Sequence, residues 1–170
     1  MGKIFKKVTV SSCITLGAFI LGLVGFIIYL VNGSASGYFK GSNEASVILL
    51  SILALVALAA SIALSFFDFK GVGGKAVPIV IGVLRIASAI LIVSALVLFI
   101  TSRAQGLAYI LASDDNVKDE IQTPENMASA YGAIAGFIFY ILTWVVTLVA
   151  CFFKPQKELN EVKKLKEVKE

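Results

Sequence analysis

The chain has no histidine, and its 170 residues include two cysteines, three prolines and one tryptophan. Charge is also scarce: 15% of residues are Asp, Glu, Lys or Arg, against about a quarter in a soluble domain. Each shortage excludes something. Without histidine the commonest neutral-pH general base and metal ligand is missing. Cys13 and Cys151 alone make a poor zinc site, and their expected place on the reducing side argues against a structural disulfide. There is no P-loop, no Gly-x-Ser-x-Gly and no metal motif. Serines and threonines are present, but no base is placed to activate them. A soluble enzyme, a disordered tail and a secreted disulfide scaffold are all excluded by composition.

What the chain has instead is apolar length. Apolar residues make up 58% of it, and the mean hydropathy is +0.92. A helix needs about 20 apolar residues to cross a bilayer. Four runs reach that length: Val8 to Val31, Ala45 to Phe67, Ala76 to Ile100 and Met127 to Phe153. They are continuous rather than alternating, which favours helices over a β-barrel. The expected fold is an all-α integral membrane protein, an antiparallel bundle of four transmembrane helices with both termini cytoplasmic. The expected organisation is one transmembrane domain, 1–153, with spans near 8–31, 45–67, 76–100 and 127–153 and an outer loop over 101–126. A charged cytoplasmic tail, 154–170, follows.

Helix punctuation supports these spans. Gly33 suits a C-cap, Ser42 or Asn43 an N-cap, and Pro78 the first turn of the third span. Thr123 before Pro124 suits an N-cap and first helical position. The first span is too long for a signal-peptide core of about 7–15 residues and is read as a retained helix. Lys6 stands where a myristoylation motif wants Ser or Thr.

Basic residues set the orientation. Lys3, Lys6 and Lys7, then Lys70 and Lys75, then six lysines from Lys154 to Lys169 fall on one side; Lys40, Arg103 and Lys118 fall on the other. The richer side is expected to be cytoplasmic, where anionic lipids are the default partner. No nucleic-acid partner is expected. The rings of Tyr29, Tyr38, Phe39, Tyr109 and Tyr131 are expected at the outer headgroup level. The acidic stretch with Asp114, Asp115 and Asp119 lacks EF-hand spacing, so a solvated loop is expected rather than a calcium site. No metal and no cofactor are expected. The tail alternates Lys and Glu around Leu159, Val162, Leu165 and Val168, too short a pattern to argue a coiled coil.

Two constellations stand out. Small residues recur four apart: Ala18 and Gly22; Ala57, Ser61 and Ser65; Ala128, Gly132 and Gly136. Such ridges let backbones approach in lipid, either within one bundle or against a partner, with the last ridge the best candidate for an outside contact. Arg85 is the one formal charge inside a span. An intramembrane charge points to a functional site, yet a long arginine stem also snorkels to the interface. Trp144, Thr15, Ser61 and Thr147 fall at similar depth, and stacking on Trp144 with nearby hydroxyls would make an inner polar site. Facing cannot be read from the sequence, so both readings stand.

The stretch from Asn32-Gly33 to Gly37-Tyr38-Phe39 and the run Gly136-Phe137-Ile138-Phe139-Tyr140 resemble small uncharacterised four-span membrane proteins of low-GC Gram-positive bacteria. The resemblance implies a multi-pass plasma-membrane protein and no particular activity. A function without catalysis is expected: an accessory or scaffold subunit packing with a larger membrane complex, or a homo-oligomer. The alternative is a small oligomeric channel or transporter for an anion or a lipid-like substrate, with Arg85 in the inner half of the bundle.

Overall fold

The computed structural model describes residues 10–66 and 72–153. Lys3, Lys6, Lys7, Asp68, Lys70 and the tail from Lys154 onward lie outside the described residues. Among the described residues all regular structure is helical: α1 (Val10–Ser34), α2 (Ala45–Phe66), α3 (Val72–Leu111), α4 (Lys118–Ile121) and α5 (Pro124–Phe152). Four of these, all but the single turn α4, are long and apolar enough to cross a membrane.

α1 packs against α5 and α2, and α3 against α2 and α5. The hydroxyl of Ser11 donates to the carbonyl of Phe153 at 3.3 Å, joining the start of α1 to the end of α5. Asn32 Nδ2 donates to the carbonyl of Ser129 at 2.7 Å, joining the end of α1 to the start of α5. The end of the bundle that holds Ser11 and Phe153 is the termini end; the end that holds Asn32 and Ser129 is the loop end.

The packing is explained by a three-four spacing of small and hydroxylated residues. In α2 the buried positions are Val47, Ser51, Ala54, Leu58 and Ser61. In α5 they include Ser129, Ala133, Gly136, Tyr140, Thr143, Thr147 and Ala150. A repeat of 3.5 keeps one seam of each helix facing its neighbours. Bulky side chains such as Ile20, Ile27, Leu49, Val83 and Ile90 point outward. Small residues inside and large apolar ones outside is the arrangement that lipid favours, because close backbone approach supplies the packing energy there. Several interior hydroxyls satisfy themselves within their own helix. Thr15 donates to Ser11, Ser51 to Val47, Ser88 to Leu84, Thr143 to Phe139 and Thr147 to Thr143, each over one turn.

The ridges divide along these seams. A Cβ on Gly136 would stand 2.7 Å from Phe99 Cε1, and one on Gly22 3.1 Å from Thr143 Cγ2. Ala18 is fully buried, whereas Ala57 and Ser65 lie half-exposed beside their seam and Ala128 is exposed. Gly132 admits Asn32, whose Nδ2 would lie 2.7 Å from a Cβ placed there.

Thr123 caps α5 as the sequence suggests: its hydroxyl accepts from the N–H of Asn126, with Pro124 next. The other caps differ. α1 runs through Gly33 to Ser34, so Gly33 is not a cap; its bare backbone instead makes room for Asn43. The side chains of Ser42 and Asn43 bond backward, to Phe39 and Leu30, rather than capping α2. Pro78 is interior, because α3 starts before it at Val72.

The largest difference is in the third helix. The apolar run ends at Ile100, but α3 continues to Leu111, making 40 residues and about 60 Å of helix. Within the expected outer loop, the sequence leaves Leu107, Tyr109, Ile110 and Leu111 open to extending the third helix or lying on the outer surface, and residues 101–111 do lengthen the helix. Ile110 is fully buried beside Phe39, Ala130 and Ala133. Below it α4 is tied on by Gln122, which donates to the carbonyl of Ile110 at 3.0 Å. Of the rings expected at the outer headgroup level, Tyr29 and Phe39 turn into the bundle and are buried, while Tyr38, Tyr109 and Tyr131 are exposed; burial does not bear on their depth.

Candidate functional site

Among the described residues two cations are buried, and both come from α3. Arg85 is 2% exposed and Arg103 0% exposed. They lie eighteen residues apart, five turns at 3.6 residues per turn, so they leave the same face of the helix. Their separation along the axis is about 27 Å at 1.5 Å per residue. Between them on that face lie Ser88, Ile92, Ala95 and Phe99, all buried. No carboxylate forms an ion pair with either arginine among the described residues, so their surroundings have to be compared bond by bond.

At the termini end Arg85 is held by backbone. Its Nη1 donates to Ser11 Oγ at 2.7 Å, to the carbonyl of Ala150 at 3.0 Å and to that of Phe153 at 3.4 Å. The last carbonyls of a helix have no partner of their own, and they carry the negative end of its dipole. Arg85 thus closes the end of α5 and, through Ser11, pins it to the start of α1. Of the groups expected near it, Thr15 joins at one remove, by donating to the carbonyl of Ser11 at 2.8 Å. Thr147 bonds within its own helix and accepts from Cys151 Sγ through its carbonyl. Ser61 is buried with an unpartnered hydroxyl. Trp144 is half-buried against the main core and, with Ile86, Ile90, Leu148 and Phe152, lines an apolar groove of about 180 Å³. The cation–π contacts among the described residues belong to the other arginine.

At the loop end Arg103 is held by rings. Its guanidinium carbon is 4.6 Å from the centre of the Phe39 ring, 5.8 Å from Tyr29 and 6.0 Å from Phe99. Such contacts compensate a buried cation in part. The cage is braced from outside. Tyr29 meets Phe99 edge to face at 4.7 Å, and its hydroxyl accepts from the N–H of Glu44 at 2.6 Å. Phe39 is fixed by its N–H, which donates to Ser129 Oγ at 3.3 Å. Nη1 of Arg103 donates to Ser42 Oγ, while Nε and Nη2 have no hydrogen-bond partner.

Sequence reasoning passed over Arg103 because Thr101-Ser102-Arg103 follows the apolar run and reads as loop. The available signal was the five-turn spacing from Arg85 together with Phe99 one turn below.

Two other features complete the interior and its surface. Mid-bundle, Tyr140 donates to Ser51 at 2.6 Å beside a gap of about 10 Å³, so the core is closely packed there. At the loop end a groove of about 250 Å³ opens between α1 and α5. Ile27, Ile28 and Val31 form its apolar wall; Ala35, Ser36, Ala128 and Gly132 leave it empty because they are small.

No known protein family, curated protein or solved structure matches this chain.

Proposed function

We propose that the protein is a multi-pass protein of the plasma membrane that works without catalysis, as an accessory or scaffold subunit packing against a larger membrane assembly. The four long helices form an antiparallel bundle with both termini cytoplasmic, so the termini end is inside and the loop end outside. The observation that carries the reading is the groove between α1 and α5. Ala128 and Gly132 of α5, with Ala35 and Ser36 just after α1, leave about 250 Å³ open in a wall that otherwise presents bulky apolar side chains to lipid. In a membrane, where helices associate by close packing, such a hollow fits the ridge of a partner helix. A channel built around Arg85 is less well supported, because its Nη1 is engaged by Ser11, Ala150 and Phe153 in a fully packed setting.

Purification in mild detergent, followed by mass spectrometry, tests this. A membrane protein should co-purify in a fixed ratio, and Ala128→Trp, which fills the groove, should release it without moving the thermal transition. Recovery of the chain alone at monomer mass in several detergents contradicts the proposal. For orientation, cysteines placed at Ser36 and Asp119, with Cys13 and Cys151 replaced by serine, should react with an impermeant reagent in intact cells. Labelling only after permeabilisation reverses the topology.

A further inference from the structure

Arg103 has more donors than the fold uses. A guanidinium presents five N–H groups in a planar fork, and the edge formed by Nε and Nη2 is the one that takes two oxygens of a phosphate or carboxylate side by side. In Arg103 that edge is free: Nη1 is committed to Ser42, and Nε and Nη2 have no partner although the residue is wholly buried. The plane of the fork is already fixed by the Phe39 ring at 4.6 Å and by the rings of Tyr29 and Phe99. Arg85 is met more fully by comparison: its Nη1 has three acceptors at 2.7–3.4 Å, and its Nε alone is buried without a partner.

Depth selects the ligand. Arg85 and Arg103 stand about 27 Å apart along α3, close to the roughly 30 Å thickness of a hydrocarbon core. With one arginine at each edge of that core, Arg103 falls at the level of headgroup phosphates. We propose that the Nε–Nη2 edge of Arg103 is a phosphate-binding site at the loop end, covered by the strap 37–41. The strap carries Tyr38, Phe39 and Lys40 between two glycines with positive φ, Gly37 at +124° and Gly41 at +76°, where other residues are strained. Phe39 is the part of the strap that lies on the guanidinium. Displacing it exposes the free edge and brings exposed Lys40 beside the same anion. Glu44, exposed at the start of α2, acts on Arg103 only through space and leaves the edge unoccupied. The site lies apart from the opening of the groove between α1 and α5, although Ser129, which holds Phe39, also lines that groove.

The chain contains two arginines, so a sample labelled with ¹⁵N-arginine gives two Nε–H signals, which Arg85→Lys and Arg103→Lys assign. The full-length protein in a phosphate-free maltoside detergent is titrated with inorganic phosphate, and separately with short-chain phosphatidic acid, at constant ionic strength. The expected result is a saturable shift of the Arg103 signal with the Arg85 signal unmoved. Saturation with both ligands identifies free phosphate as sufficient; saturation with phosphatidic acid alone identifies a lipid headgroup. In parallel the thermal transition should rise with the same ligand in wild type and stay flat in Arg103→Lys, whose ammonium keeps the charge but lacks the paired donors. An unmoved Arg103 signal with both ligands overturns the proposal, and so does an equal rise in Arg103→Lys. If Arg103→Lys does not fold, the wild-type spectrum alone decides.

Discussion

The two ends of the bundle solve the same problem differently. Each buries one arginine of α3 with no carboxylate partner among the described residues, and burying a cation is costly unless its donors are met. At the termini end Arg85 meets carbonyls that α5 could not satisfy itself, so Nη1 and the helix end answer each other and one nitrogen, Nε, stays unpaired. At the loop end Arg103 meets aromatic faces and one hydroxyl, and two of its nitrogens stay unpaired. A buried cation is therefore not one kind of feature. Arg85 is a fastener, and removing it leaves orphaned carbonyls. Arg103 is a cation held ready by its surroundings, and little else in the fold depends on its charge.

The largest expected effect falls on the cage. Gly136→Leu drives a side chain into Phe99, which forms one wall around Arg103, and should cost about 2–3 kcal/mol or prevent folding. Gly82, with open space around its missing Cβ, is the control: Gly82→Leu should leave unfolding nearly unchanged. An unchanged transition in Gly136→Leu would mean that α5 does not approach α3 closely at the loop end. A smaller loss is expected from Ser11→Ala, about 1 kcal/mol, since it removes one oxygen shared by Arg85 and Phe153. The matching change at the other end, Ser42→Ala, should cost no more than that. A clearly larger loss at Ser42 would show that Arg103 relies on its hydroxyl more than on its rings. The smallest effect concerns Trp144. Because Arg85 is fixed by Ser11, Ala150 and Phe153, Arg85→Lys and Trp144→Leu should be additive within about 0.5 kcal/mol in a double-mutant cycle. A coupling well beyond that would place the two side chains in contact.

Much of this fold was legible before any coordinates. The four apolar runs correspond to the four long helices, and Thr123-Pro124 marks the start of α5 in the expected way. Arg85 stood out because a charge inside a long apolar run has no bland explanation except snorkelling. Its partners did not stand out. Ala150 and Phe153 act through backbone carbonyls, which every residue has, and Ser11 looked like one hydroxyl among many. Trp144 shows the limit of depth arguments: level along a helix can be counted, but rotation around it depends on packing. Arg103 was hidden for a different reason. Hydropathy marks where a helix leaves lipid, whereas helix length is set by what the chain packs against, and Ile110 still packs against Phe39 and Ala130 well past the end of the apolar run.

The contrast between fastener and reserved cation is tested most directly by replacing each arginine with methionine, which keeps most of the side-chain volume and removes the charge. Unfolding is followed in a phosphate-free, delipidated detergent sample of the full chain. Arg85→Met should lose about 1–3 kcal/mol, because it strands the carbonyls of Ala150 and Phe153. Arg103→Met should stay within about 1 kcal/mol of wild type, in either direction, because an unpaired buried charge contributes little that an apolar side chain of similar size does not. A loss in Arg103→Met equal to or greater than that in Arg85→Met would contradict the account.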